Sequence, residues 1–139
     1  MDNFKSCDVS FRIIDENLNH LEITKMLSII PEIAYNKGDP NIIISKKGKI
    51  INSSSHSAGL WSIKSTLVET SPFEDHLNYL LKMLMSLKDK LNELHSRGYK
   101  MDFFCGLFTN ENIHSGFEIN SNILYNMGIL NIKLSICIY

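Results

Sequence analysis

The residues that could do chemistry are few in this sequence, and the first to consider is a histidine. His76 follows Glu74 and Asp75, and it could lie beside the single tryptophan, Trp61, if the segments that hold them pack together. A histidine against an aromatic wall can act as an acid–base group or contact a ligand. One functional hypothesis is therefore a small-molecule-binding or catalytic domain centred on Trp61 and His76. In the simpler alternative, which we favour, His76 packs on Trp61 and bonds a backbone carbonyl.

Two other groups resemble nucleophilic sites only in part. Ser57 lies in a stretch like a nucleophile elbow, but Ser55 stands where the first glycine belongs, and a strand follows the serine where the elbow needs a helix. Cys105 and His114 could pair as thiol and imidazole, yet nothing in the polar segment around His114 would orient its ring. Phosphate-loop, dinucleotide and zinc-protease motifs are absent from the sequence. We predict no catalytic residue, no cofactor and no metal, and hence a protein that is not an enzyme.

The composition indicates one globular domain spanning residues 1–139. The chain is 44% hydrophobic and 21% charged, which is typical of a soluble fold with its own core. Fourteen basic and fifteen acidic residues give a net charge of −1, too little positive charge to gather nucleic acid or anionic lipid. We therefore expect neither a nucleic-acid partner nor a membrane.

The cysteines and the first residues bear on the compartment. The three cysteines, Cys7, Cys105 and Cys137, are widely spaced, and the chain begins without the charged and apolar regions of a signal peptide. We predict reduced thiols and a cytoplasmic protein.

Charge is unevenly distributed along the chain. Residues 1–45 hold seven acidic and four basic residues, whereas residues 46–64 hold four lysines and no acidic residue. A polarised surface suits recognition of a protein by complementary charge, although an ordinary solvated surface stays open as the alternative. The partner-binding candidates are Asp15, Glu16, Glu22 and Asp39 in the acidic set, and Lys46, Lys47, Lys49 and His56 in the basic segment.

Periodicity predicts the elements that must position these residues. Apolar and polar residues alternate, or form short apolar runs, as in strands, over residues 8–14, 60–68, 101–108, 116–119 and 132–139. Residues 41–51 are predicted to form a hairpin around the lysines, and the serine-rich residues 52–59 a surface loop.

Helices are predicted at residues 21–30, capped by Asn19, at residues 121–127, stopped by Gly128, and over about residues 72–97. In the long helix, Ser71 and Glu74 would form a capping box, leucines recur at spacings of three and four, and Gly98 ends the element. The order of elements predicts an α+β two-layer sandwich: a mixed, mainly antiparallel sheet, with the long helix packed on it, in a ferredoxin-like rhythm.

Several short motifs together resemble one family. They are Gly59-Leu60-Trp61-Ser62, His76-Leu77, Leu80-Leu81, Gly98-Tyr99, Asp102-Phe103-Phe104-Cys105, Gly116-Phe117 and Ile136-Cys137-Ile138-Tyr139. The chain is similar to the bacterial domain of unknown function 4279, over residues 8–139. The resemblance implies an α/β sandwich and no assigned activity. The segment at residues 46–49 resembles the family's basic hairpin, but the serine-rich continuation departs from it.

The leading functional hypothesis is a protein-binding module. A small domain without catalytic motifs fits an interaction protein, and we predict a bacterial immunity protein that neutralises a cognate toxin, as a monomer or a weak homodimer. We favour the acidic set as its contact surface, because many delivered toxins are nucleases with a basic cleft, and an acidic inhibitor can mimic their anionic substrate.

Overall fold

The computed structural model describes residues 4–44, 46–110 and 116–139, which form seven strands and four helices. The strands are β1 (Ser6–Asp15), β2 (Ile33–Tyr35), β3 (Pro40–Ile44), β4 (Ile50–Ser55), β5 (Gly59–Lys64), β6 (Lys100–Phe108) and β7 (Lys133–Ile138). The helices are α1 (His20–Leu27), α2 (Phe73–Met85), α3 (Lys88–Ser96) and α4 (Ser121–Ile129). Among these helices none has the length and apolar character needed to cross a membrane.

Five strands form one sheet in the order β2-β5-β1-β6-β7. The central strand β1 pairs antiparallel with β5 and β6, β2 pairs antiparallel with β5, and β7 joins β6 in parallel. Strands β5 and β6 therefore run parallel on either side of β1 and are joined through α2 and α3, which is a split β-α-β unit. The mixed, mainly antiparallel sheet and its ferredoxin-like rhythm are confirmed.

The helices cover one face of this sheet. In β1, the alternate residues Cys7, Val9, Phe11 and Ile13 are buried beneath them, because successive side chains of a strand point to opposite faces. The ring of Phe11 meets the rings of Trp61 and Phe103 edge-on, which places the aromatic centre of the core on the three middle strands.

The single long helix predicted over residues 72–97 is instead two helices. The break lies at Ser86 and Leu87, where the Leu87 amide bonds the Leu84 carbonyl three residues back and the Ser86 hydroxyl bonds the carbonyl of Met83. A serine hydroxyl competes with the backbone for a helical carbonyl, which favours such a turn. Buried leucines continue from α2 into α3, so the apolar spacing alone did not reveal the break.

The predicted helix ends are partly confirmed. The side chain of Asn19 caps α1, and Gly98 follows α3 with a φ of +91°, the left-handed conformation that suits glycine. The capping box at Ser71 does not form: Pro72 precedes α2, and no side chain caps it. The Glu74 carboxylate instead accepts a hydrogen bond of 2.7 Å from the backbone N–H of Asn120, which links the start of α2 to the start of α4.

Other boundaries differ from the sequence prediction. The predicted loop at 52–59 is half strand, since β4 continues to Ser55, and the strand predicted over 60–68 ends at Lys64. Residues 116–119 form no strand, and α4 continues through Gly128. Strand β2 was not predicted, because three residues are too few to show a period.

Candidate functional site

The structure places Trp61 and His76 in different surroundings. The Trp61 ring is fully buried, and its indole nitrogen donates to the Thr24 hydroxyl on α1 at 3.0 Å. His76 is also buried, and its Nδ1 lies 2.8 Å from the Ser65 hydroxyl. Ser65 follows Trp61 by four residues, about 13 Å along an extended chain.

The cavity beside His76 does not include Trp61. It has a volume of about 340 Å³ and is bordered by Cys7, Ser65 and Glu69 among others. Among the described residues that border this cavity, His76 is present and Trp61 is not, so this cavity is not the pocket proposed from the sequence. The sequence could have indicated the contact between Ser65 and His76. Ser65 shares the period-two face of Trp61, and that face lies beneath α2.

The acidic candidates are occupied by partners within the chain. Glu16 pairs with Lys37, and Glu22 lies 2.8 Å from Arg97. Lys37 lowers the pKa of Glu16 below its ordinary value, through a hydrogen bond and charge attraction.

The other two acidic candidates hold turns. Asp15 accepts the backbone N–H of Asn17, and Asp39 accepts that of Asn36, both at 2.8 Å. These bonds organise the chain locally, so the acidic set is not an uncompensated patch.

The basic candidates lie on a hairpin separate from the main sheet. Within the described parts of the chain, strands β3 and β4 pair with each other in a two-stranded sheet separate from the main one, and Lys46, Lys47 and Lys49 are exposed between them. We call residues 40–55 the lysine hairpin; its sequence contains no aspartate or glutamate. At its base, the His56 ring stacks on Tyr35 with 3.4 Å between ring centroids.

The structure describes Ser57 and Cys105, one residue from each partial nucleophile motif. Ser57 lies in the turn between β4 and β5, ahead of a strand, as predicted. Burial raises the pKa of Cys105 to about 12, which keeps its thiol protonated near neutral pH. His114 lies outside the described residues. Within the described parts of the chain, no three histidine, cysteine or acidic side chains form a cluster that could hold a metal ion.

The face of the main sheet opposite the helices, here the open face, carries a row of polar contacts that the sequence did not predict. The Arg12 guanidinium donates to both carboxylate oxygens of Asp102, at 2.9 and 2.7 Å, and the Ser135 hydroxyl donates to the same carboxylate at 2.9 Å. Arg12 also lies over the Phe104 ring at 4.2 Å. The hydrogen bonds that the Arg12 guanidinium donates to the Asp102 carboxylate raise the pKa of Arg12.

A groove of about 470 Å³ crosses the open face beside this row, and we call it the sheet groove. Its lining is Asp8, Ser10, Arg12, Glu32, Ile33, Leu60, Ser62, Lys64, Phe104, Gly106, Phe108 and Tyr139. Only the strand register brings these residues together, because they come from β1, β5, β6, the start of β2 and the last residue of the sequence. The alternation in each strand signalled an outward face, but it did not show which residues share it.

These features define a small α+β sandwich with a ferredoxin-like strand order, a basic hairpin in a separate two-stranded sheet and a grooved open face. The model of the family described as Domain of unknown function (DUF4279) matches residues 4–139, and the chain belongs to that family. No curated protein and no solved structure matches the chain.

Proposed function

We propose that this protein is a non-enzymatic protein-binding module, and specifically a bacterial immunity protein that neutralises a cognate toxin. The observation that carries the proposal is the lysine hairpin, which among the described residues forms a two-stranded sheet separate from the main sheet and has exposed lysines in its turn. An isolated two-stranded hairpin is marginally stable in water, so a partner that covers it would stabilise the hairpin.

The charges favour the lysine hairpin over the acidic set as the contact surface. Glu16 and Glu22 each face a cation of their own chain. Residues 40–55 hold three lysines and no acidic residue. A partner with an acidic face would therefore be attracted to the lysine hairpin. This reverses the preference drawn from the sequence.

The partner's chemistry follows from this surface. We infer that the toxin presents a cluster of carboxylates, which Lys46, Lys47 and Lys49 would approach from the hairpin turn. Charge attraction of this kind raises the association rate and weakens as salt increases. The arm would then block the toxin by covering its acidic face, and no bond in the toxin would need to be broken.

We propose the same cellular setting that the sequence indicated. The protein acts in the cytoplasm as a monomer or a weak homodimer, without nucleic acid or membrane as a partner. The wide spacing of Cys7, Cys105 and Cys137 in the sequence suits a reducing compartment.

The experiment is co-expression with the product of the neighbouring gene, followed by co-purification and a growth-rescue assay. The test variant reverses the hairpin charges (K46E, K47E and K49E together), and the control reverses three exposed helix lysines (K25E, K88E and K90E). The proposal expects binding and rescue to fail only in the hairpin variant. Equal behaviour of the two variants would overturn the assignment of the hairpin, and retention of nucleic acid by the lysine hairpin would overturn the choice of a protein partner.

A further inference from the structure

A small cavity at one end of the main sheet has a basic lining. It lies where α3 leads into β6 and α4 leads into β7, and its volume is about 240 Å³. His95, Lys100 and Lys133 border it, and we call it the basic cavity. We propose that the basic cavity binds a dianionic phosphate group, either inorganic phosphate or the phosphate of a small ester. This goes beyond the proposed function and does not depend on the lysine hairpin.

The strand register brings Lys100 and Lys133 to neighbouring positions on one face of the sheet. Strands β6 and β7 run parallel, with Asp102 opposite Lys133. Lys100 comes two residues before Asp102, and Lys133 two before Ser135. Because side chains alternate along a strand, both lysines share the open face with the contact between Asp102 and Ser135. The strand spacing and the rise per residue set the two lysine Cα atoms roughly 8 Å apart, so both side chains can reach one anion.

The carboxylates near this end of the sheet act on other cations. Asp102 accepts two hydrogen bonds from Arg12. Glu22 and Glu93 both act on Arg97, and Glu22 lies 2.8 Å from it. The ends of α3 and α4 also lie here, but each helix C-terminus carries only about half an elementary negative charge, which falls off within the last turn. Two lysine ammonium groups therefore outweigh two helix ends, and the basic cavity attracts an anion.

A phosphate group fits this lining in charge and in hydrogen bonding. A phosphate monoester at pH 7 carries about −1.5 to −2 charges and three strong acceptor oxygens, so it can engage two ammonium groups. Asn131 also borders the cavity, and its amide donates one N–H to the side-chain oxygen of Asn92 at 3.0 Å. A side-chain amide has two N–H groups, so the second can donate to a phosphate oxygen. The cavity is smaller than the roughly 300–1,000 Å³ of most ligand pockets, so the rest of the ligand must be small.

The test compares inorganic phosphate, methyl phosphate and dimethyl phosphate, which differ in charge and in esterification. Each is titrated into ¹⁵N-labelled protein above the second phosphate pKa of about 6, at constant ionic strength, and amide chemical shifts are followed by NMR. We expect saturable shifts within residues 95–101 and 131–133 with the two dianions. Dimethyl phosphate should bind roughly fivefold more weakly, because it carries a single charge. Tighter binding of methyl phosphate or of inorganic phosphate would identify the source of the group, and either result supports the proposal.

The test variant removes both cavity lysines (K100Q and K133Q together), and the control removes two exposed lysines at the start of α3 (K88Q and K90Q). We expect the cavity variant to bind methyl phosphate roughly tenfold more weakly than wild type, and the control to bind it normally. Thermal melts confirm that each variant is folded. If the cavity variant unfolds, K100Q and K133Q are tested singly, and each should weaken binding.

Three results would overturn the inference. They are shifts that do not saturate or that lie outside the two ranges, equal binding of methyl and dimethyl phosphate, and equal affinities of the cavity variant and its control. The last would show attraction by net charge alone. The K46E, K47E and K49E variant should keep its affinity for methyl phosphate, which separates this site from the proposed function of the lysine hairpin.

Discussion

The guanidinium of Arg12 and the carboxylate of Asp102 form a two-point ion pair across the β1–β6 ladder, although 90 residues separate them in the chain. The Asp102 residue is 6% exposed, and the Arg12 side chain is 27% exposed. A bidentate pair fixes direction as well as distance. This pair therefore holds two central strands in register on the open face.

Replacement of Arg12 by alanine should lower the free energy of unfolding by about 2–3 kcal/mol. Loss of one partner from a buried ion pair costs about 3–5 kcal/mol, because the other charge is left buried, and the partial exposure of Arg12 reduces this. Urea denaturation gives the value. Arg97→Ala is the control, since its pair with Glu22 is exposed to solvent and its loss should lower the free energy of unfolding much less. Equal losses in the two variants would show that the Arg12 pair is no more than a surface contact.

The fold was predictable where the apolar residues of a single strand or helix repeat at a regular spacing. The alternation in β1 and the leucine spacing of α2 each identify a buried face without knowledge of the partner. The break at Ser86 and Leu87 was hidden because the leucine spacing continues across it.

The open face was not predictable, because it depends on strand order. Arg12, Ser62 and Asp102 meet only after β1 has taken its place between β5 and β6. Each residue alone is an ordinary polar position of a strand. Strand order also explains the end of β7. The period-two spacing of Ile138 predicted burial, but this residue is 60% exposed, because β7 lies at the edge of the sheet.

Replacement of Gly59 by alanine should destabilise the protein by about 1–3 kcal/mol. An added Cβ would lie 2.8 Å from the Cβ of Leu18 and 3.1 Å from its carbonyl oxygen, so the backbone would have to move. Gly128→Ala is the control, because that glycine lies inside α4 with no atom within 4 Å of the new Cβ. Alanine at position 128 should raise the free energy of unfolding by about 0.5–1 kcal/mol. A Gly59→Ala protein as stable as wild type would refute the close contact with Leu18.

The pKa of Glu16 should be measurably below its ordinary value of 4.5 and should return toward it in Lys37→Ala. Because the folded pKa is lowered, the pair stabilises the fold above the unfolded pKa, and this contribution is lost as pH falls through the folded pKa. An NMR titration of the side-chain carboxyl carbon, repeated at high salt, measures both the shift and its screening. Identical titration curves for wild type and Lys37→Ala would contradict the ion pair.

In the folded protein, Cys137 should react with a thiol reagent before Cys7 and Cys105. Cys137 is partly exposed, whereas the other two are buried, and the pKa of Cys105 is raised to about 12. Thiolate is the reactive form, so Cys105 should remain nearly inert at pH 8. Cys137→Ser should remove the fast phase, and denaturation should expose the remaining two thiols. A fast phase that survives in Cys137→Ser would show that a buried thiol is accessible.

The most direct test of the protein-binding proposal is the affinity of the purified protein for the neighbouring gene's product at two salt concentrations. The K46E, K47E and K49E variant is compared with wild type and with the K25E, K88E and K90E control. We expect the hairpin variant to bind at least tenfold more weakly than either, and wild-type affinity to fall as salt increases. Equal affinities of the three proteins, or an affinity that does not change with salt, would contradict a charged contact through the lysine hairpin.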